Sequence, residues 1–360
     1  MSGSASDRGA FDRDASGPGT ATGPERPRRR VQLSRFGPGP LPPDAQPSQF
    51  ATELLAGLAR RPRNISPKFF YDATGSALFD RICELPEYYP TRTEIALLAE
   101  HAGEIANCIG PDADIVEFGA GSSRKIRLLL AALQRPRRFV PVDISGDYLQ
   151  AAARRLRDDW PGLDGHPLVA DFTRAFALPP PIPLDGRGHA RRIGFFPGSS
   201  IGNFAPAEAL RFLRRAARLL RGGGLLVGVD LVKDPAVLHA AYNDSQGVTA
   251  AFNRNLLERA NRELGADFDP RRFAHYAFYE PVRQRIEMHL LSLARQQVSL
   301  CGRRFEFAAG ETLHTENSYK FTVDGFRALA TRAGFAPGPV WLDRDGLFSV
   351  HWLQAPGAPS

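Results

Sequence analysis

The chain has 360 residues, 43% of them apolar and 24% charged, with a formal net charge of +7, proportions that fit a globular protein with one large interrupted core or two domains. No run approaches the roughly 20 apolar residues that cross a bilayer, Met1 to Gly9 lack the apolar centre of a secretory signal, and Cys83, Cys108 and Cys301 are too scattered for a disulfide framework or paired zinc ligands. The expected setting is the cytoplasm, with no membrane and no metal.

Residues 1–48 are dominated by Gly, Pro, Ser, Ala and Arg and cannot bury enough apolar surface to offset ordering entropy, so they read as a flexible leader. The positive balance is arginine interleaved with acids. Its one dense cluster, Arg26-Pro27-Arg28-Arg29-Arg30, lies in that leader and is no stripe for nucleic acid. Between about 96 and 233 strands and helices alternate, the signature of a doubly wound α/β sheet. Ile115 to Phe118 is a first strand ending in the turn Gly119-Ala120-Gly121, after which Ser122 or Ser123 can cap a helix carrying Ile126, Leu129, Leu130 and Leu133. Strands follow at Arg138 to Asp143, His166 to Asp171 and Ile193 to Phe196. A helix after Pro206 stops at Gly222-Gly223-Gly224 and feeds a fifth strand, Leu225 to Asp230. Beyond Asp234-Pro235 come a long helical stretch through Phe252, Leu256 and Leu264, alternating segments such as Gln284 to Leu290 that read as antiparallel strands, a helix from Phe326 to Ala333, and strands at Val340 to Leu342 and Phe348 to Val350. The expected domains are therefore a sheet domain of 96–233 plus 320–354, interrupted by a second domain of 49–95 plus 234–319.

A Gly-x-Gly turn between a strand and a helix lets backbone N–H groups approach a polar ligand. The dinucleotide form needs a third glycine where this chain has Arg124, which counts against NAD. Asp143, ending the second strand, is placed to accept from both ribose hydroxyls. Asp171-Phe172, ending the third, offers an acceptor for an exocyclic amine beside a ring that can stack on adenine. Together these favour S-adenosylmethionine, with Lys125 in reach of its methionyl carboxylate. The plainer alternatives are that Asp143 and Asp171 cap the following helices and that Lys125 is a surface lysine.

With these residues in place the chain resembles the ergothioneine-pathway L-histidine Nα-methyltransferases. The resemblance spans roughly 65–353 and rests on Phe70 to Asp80 (FYDATGSALFD), Leu85 to Arg92 (LPEYYPTR), Gly198 to Asn203 (GSSIGN), Asp230 to Pro235 (DLVKDP), Ala241-Tyr242, Phe252 to Asn255 (FNRN) and Glu316 to Phe321 (ENSYKF). It implies a Rossmann-like class I methyltransferase sheet with a second, smaller α+β substrate domain. It implies Gly119, Lys125, Asp143, Asp171 and Phe172 for the cofactor, and Tyr71, Tyr88, Asn203 and Tyr242 around the backbone atoms of the amino acid, with Tyr71 and Asn203 catalytic. Glu316 and Ser318 would hold the imidazole, and Met288 would line the same pocket. A monomer acting on a small molecule is expected. The long leader and the Asn317-Ser318-Tyr319 stretch depart from the family pattern.

Transfer from a sulfonium to an amine is an in-line displacement for which the protein mainly positions and desolvates. The nucleophile must be neutral, whereas a free α-amino group with a pKa of roughly 8 to 9 is mostly protonated at neutral pH. Tyr and Asn suit this task, because a carboxylate beside the amine would favour the ammonium. Glu316 can accept from one imidazole N–H while the Ser318 hydroxyl serves the other nitrogen as donor or acceptor, which predicts discrimination against rings lacking two nitrogens. Without the resemblance, Glu316 reads as a surface strand carboxylate and Tyr88-Tyr89 as core aromatics. An indole amino acid or another amine as acceptor, and a basic nucleic-acid-binding scaffold, are the rival readings.

Overall fold

The computed structural model describes residues 48–121, 123–144, 146–184 and 188–357. The Arg26 to Arg30 cluster, residues 1–47 of the expected leader and Ser122 as candidate cap lie outside the described residues. Ser48, read as the last residue of the leader, instead caps the Gln49–Ala59 helix, its side chain accepting from the Ala51 N–H. Ser123 occupies the N-cap position of the Arg124–Ala132 helix without a side-chain capping bond.

The main sheet runs from an edge formed by Asp164–Gly165 and Leu168–Val169 through Arg138–Asp143, Asp114–Phe118, Arg192–Phe196, Gly224–Asp230 and Phe348–Gln354 to Ala336–Leu342. Counting the broken edge as one strand, the order is 3-2-1-4-5-7-6 in sequence. The first five are parallel, Phe348–Gln354 runs antiparallel to them, and Ala336–Leu342, antiparallel to Phe348–Gln354, runs in their direction again. Alternate residues face alternate layers. Val116, Phe118, Val140, Val142 and Phe196 join the Pro206–Leu219 and Val323–Arg332 helices in one core, while Ile115, Phe139, Ile193 and Phe195 join the helices Tyr89–Glu100, Ala102–Ile109 and Arg124–Ala132 in another. Both faces are covered, which is why these strands are almost uninterruptedly apolar.

The third strand departs from the expected continuous His166 to Asp171. It is two two-residue pieces, with His166 and Pro167 between them. Proline has no N–H for the ladder, so the pairing lapses there and resumes at Leu168, tolerable only at an edge.

A second, four-stranded sheet is ordered Arg63–Asn64, Thr312–Tyr319, Arg285–Ser292, Phe273–Glu280. Its core combines Phe50, Leu54, Phe70 and Tyr88 from the N-terminal stretch with Leu238, Phe252, Ile286, Met288 and Leu313. The Tyr89–Glu100 helix crosses the boundary expected at 95: Tyr89 belongs to this core, Leu97 and Leu98 to the main sheet's. The register between the two central strands slips at Met288/His289, where Met288 faces Glu316 but His289 faces His314, leaving Thr315 unopposed as a bulge. Asn253 holds it, accepting from the Thr315 hydroxyl at 2.8 Å and donating to the His289 carbonyl at 2.9 Å. The two sheets meet where Phe321 N–H donates to the Asp230 carbonyl at 3.0 Å and Val232 N–H to the Phe321 carbonyl at 3.0 Å.

Candidate active site

Parallel strands place a crevice at their carboxyl ends where the strand order reverses, here between Asp114–Phe118 and Arg192–Phe196. A cavity of about 710 Å³ opens at that point and extends to the second sheet. All twelve residues singled out in the sequence line it: Gly119, Lys125, Asp143, Asp171, Phe172 and Asn203 towards the main sheet, and Tyr71, Tyr88, Tyr242, Met288, Glu316 and Ser318 towards the second.

On the main-sheet side, Gly119 has φ of +74°, in the left-handed region open chiefly to glycine, and a Cβ there would lie 3.4 Å from the Phe172 ring. Its N–H donates to the Val142 carbonyl at 2.9 Å, fixing the turn against the neighbouring strand. Phe172 stands in a cluster with Phe118, Phe196, Phe204 and Phe212. Asp171 does make a local turn, accepting from the Thr173 N–H at 3.0 Å. It also faces the Lys68 ammonium at 3.4 Å. Burial pushes its carboxyl up, but the Thr173 and Lys68 hydrogen bonds and charge outweigh that and hold it below the usual range.

Lys125 is no surface lysine. It is buried, and its ammonium donates to Glu94 at 2.5 Å. Glu94 also accepts from the Gly198 N–H at 2.8 Å, while its other oxygen, Oε1, has no partner among the described residues. Gly228 makes room for it, since a Cβ there would fall 1.9 Å from that oxygen. Sequence reasoning missed Glu94, although an acid three and four residues before the buried Leu97 and Leu98 is a charge on the apolar stripe of a helix, which was a readable signal. Glu117, at the end of the first strand, is also buried in the cavity wall; burial pushes its carboxyl up to about 8 against the pull of Lys125.

On the second-sheet side, Glu316 lies directly across from Met288, and Ser318 across from Ile286. Tyr88 meets Tyr242 and Phe79 edge-on, and Tyr71 meets Phe79 and Phe252. Glu316 is 8% exposed, and its carboxylate has no side-chain partner among the described residues; burial pushes it up to about 7, with the Lys320 charge opposing. Sequence reasoning gave no role to the polar group beneath. Lys320, fully buried, donates to Asp230 at 2.7 Å, to the Ser318 hydroxyl at 2.7 Å and to the Tyr242 hydroxyl at 3.3 Å. Tyr242 donates to Ser318 at 2.7 Å. Asp230 further accepts from Lys233 at 2.6 Å and Tyr89 at 2.7 Å. Burial lowers the Lys320 pKa, but the Asp230 ion pair more than reverses this, so it stays an ammonium. The only hint in the sequence was two of the chain's four lysines, Lys233 and Lys320, inside otherwise arginine-rich composition.

Glu287, His289 and His314 bring ligand-type atoms within 4.8 Å of one another. Arg285 already pairs with Glu287, and His289 Nε2 sits 3.0 Å from the same carboxylate, so its charge is met.

The family described as histidine-specific, S-adenosylmethionine-dependent methyltransferase matches residues 50–355. Over 316 residues the chain is 40% identical to a histidine N-alpha-methyltransferase of Mycolicibacterium smegmatis, covering 86% of this chain and 96% of that protein. Over 304 residues it is 41% identical to the protein of the same name from Mycobacterium tuberculosis, covering 83% and 92%. A Neurospora crassa protein named ergothioneine biosynthesis protein 1 is 30% identical over 306 residues, covering 78% of this chain and 32% of that protein.

Proposed function

Because the chain belongs to the histidine-specific, S-adenosylmethionine-dependent methyltransferases, we propose that it methylates the α-amino nitrogen of L-histidine, through to the trimethylated product hercynine, as a step towards ergothioneine. The observation that carries this reading is a single cavity joining the Gly119 turn to Glu316. It is read as the action of a monomer in the cytoplasm on a free amino acid, with no nucleic acid, and no helix of the described residues is long and apolar enough to cross a membrane.

The residues present suit the cofactor. The left-handed Gly119 keeps the turn bare of side chain, two acids stand at consecutive strand ends, and Lys125 spends one of its three donors on Glu94. S-adenosylmethionine supplies an electrophilic methyl carried on a sulfonium. Asp143 would accept from the ribose hydroxyls, Asp171 from the adenine amine beside Phe172, and Lys125 would donate to the methionyl carboxylate. We assign residues 96–233 and 320–354 to this cofactor-binding part, and 49–95 with 234–319 to the acceptor.

Tyr71, Tyr88, Asn203 and Tyr242 would surround the amino and carboxylate groups of histidine, with Tyr71 and Asn203 directing the amine's lone pair. None of these four is a carboxylate, so the ammonium is not stabilised where a free lone pair is needed. Glu316 would accept the N–H of the imidazole, with Met288 packed against the ring. An indole ring keeps an N–H for Glu316 but brings no acceptor nitrogen to Ser318, and a small amine without a ring brings neither group in that geometry.

Mass spectrometry of products from purified protein, isotope-labelled cofactor and a panel of free amino acids tests the reading. Labelled methyl groups should appear on histidine, up to three per molecule. Labelling of another amine with none on histidine would overturn it.

A further inference from the structure

We propose that Lys320 is a positioning residue that makes Ser318 an obligatory hydrogen-bond donor, so that the pocket accepts only a neutral imidazole in one tautomer. The proposal rests on the reading that Glu316 and Ser318 face the imidazole of histidine, and it decides whether Ser318 gives or takes the hydrogen bond there.

A serine hydroxyl has one proton and two acceptor lone pairs. Both lone pairs of Ser318 are engaged, by the Lys320 ammonium at 2.7 Å and by the Tyr242 hydroxyl at 2.7 Å. The opposite polarity between the two hydroxyls, Ser318 donating to Tyr242, is the weaker arrangement. A phenol is the stronger acid and the poorer acceptor, and the Tyr242 oxygen already lies within 3.3 Å of the Lys320 donor. The ammonium has only protons to offer, so it cannot take one from either hydroxyl. The remaining proton of Ser318 is thereby turned to the cavity that the residue lines.

The ammonium is itself fixed. It is fully buried and anchored on Asp230 Oδ2, while Lys233 holds Oδ1 of that carboxylate and the Tyr89 hydroxyl lies within hydrogen-bond reach of both oxygens. The wiring starts on the main sheet at Asp230 and ends on the second sheet at Ser318, two residues before Lys320 in the chain.

An obligatory donor needs an unprotonated nitrogen opposite it. The other ring nitrogen must then carry the proton that Glu316 accepts. An imidazolium has N–H on both nitrogens and would set one of them against the Ser318 proton between buried side chains, where such a mismatch is expensive. The pair Glu316 and Ser318 is thus read as acceptor and donor, in that order, and Lys320 is what removes the ambiguity.

The deciding measurement is nitrogen NMR of ring-labelled 15N-histidine bound to the full chain in the presence of S-adenosylhomocysteine, which has no methyl to transfer. The expected result is one protonated and one bare ring nitrogen, unchanged across pH 6 to 8 (roughly the range in which free imidazole titrates). Two protonated nitrogens, or two nitrogens averaged between tautomers, would overturn the proposal. No bound histidine signal at all would overturn the histidine reading and this inference with it.

A second arm compares histidine with the two pyrrolylalanines, which keep a ring N–H but lack the acceptor nitrogen. In Lys320→Met the Ser318 proton is free to turn onto Tyr242. The preference in kcat/KM for histidine over the better pyrrolylalanine should fall by about fivefold or more, whereas a merely structural role would lower both substrates in proportion and leave the ratio standing. An unchanged ratio in a folded variant overturns the proposal. Should Lys320→Met fail to fold, the NMR measurement on the unchanged protein decides alone.

Discussion

Glu316 shows how a single side chain can work against the stability of the free protein. Its carboxyl is raised from 4.5 to about 7, first by burial. A group whose folded pKa is raised contributes most below its unfolded pKa, and that contribution is lost as pH climbs through the folded value. Between about pH 4.5 and 7 the ligand-free protein should therefore lose stability at this residue, and Glu316→Gln, which cannot ionise, should gain on it across the same window. A tenfold change in an acid dissociation constant corresponds to about 1.4 kcal/mol, so the gain should reach up to about 3 kcal/mol. Thermal melts of both proteins without ligand from about pH 5 to 8 give the difference, and a difference that stays flat rules the account out. Single residues were also where the sequence spoke least evenly. Glu316, Ser318 and Tyr242 came to notice only through motifs, because a strand acid and a strand serine have no periodic signature of their own. Arg63, 2% exposed and bonded to Glu311 and to the Leu58 and Glu306 carbonyls, could not be told from any surface arginine, since its acceptors come from distant parts of the chain.

The bulge at Thr315 is a property of two strands and a helix together. Asn253, on the Val248–Leu264 helix, reads both sides of it and also donates to His275 Nδ1 at 3.0 Å. Asn253→Ala would leave the His289 carbonyl and the His275 ring without that donor. It should destabilise the protein by about 2 kcal/mol, at a typical 1–3 kcal/mol for a buried group left unpaired, and raise the KM for histidine while cofactor affinity stays the same. Denaturant unfolding with calorimetric cofactor titration measures both; an unchanged unfolding midpoint refutes the bulge account. At this scale the main sheet was legible because its strands are punctuated by Gly119, Asp143 and the Gly222 to Gly224 run, and its helices by apolar residues every three or four positions. The second sheet was legible only in its longer strands. Arg63–Asn64 pairs in parallel with Leu313 and His314 and is too short to alternate, and the broken edge at Pro167 looked like one strand because its flanks are apolar.

Across the whole molecule, the cofactor turn can be tested without disturbing the fold. A Cβ at Gly121 meets nothing within 4 Å, and its φ is not in the left-handed region. Gly121→Ala should melt with the unliganded protein to within about 0.5 kcal/mol. At a cofactor concentration near 100 times the wild-type Kd, binding should stabilise the wild type by about 2.7 kcal/mol, and a tenfold loss of affinity in the variant would roughly halve that. Equal ligand-induced shifts in Tm would show that the turn does not meet the cofactor. The division of the cavity wall between two sheets has a further consequence, for descent rather than for mechanism. Met288, Glu316 and Ser318 sit on adjacent strands of one sheet, while Asp143 ends a strand of the other and Gly119 and Phe172 lie in turns that follow its strands. On the proposed assignment of these residues, mutations in a gene duplicate can therefore rewrite which amine is accepted while leaving the methyl donor's berth untouched. The lineage should branch at the Arg285–Ser292 and Thr312–Tyr319 strands first, with the Gly119 turn inherited unaltered.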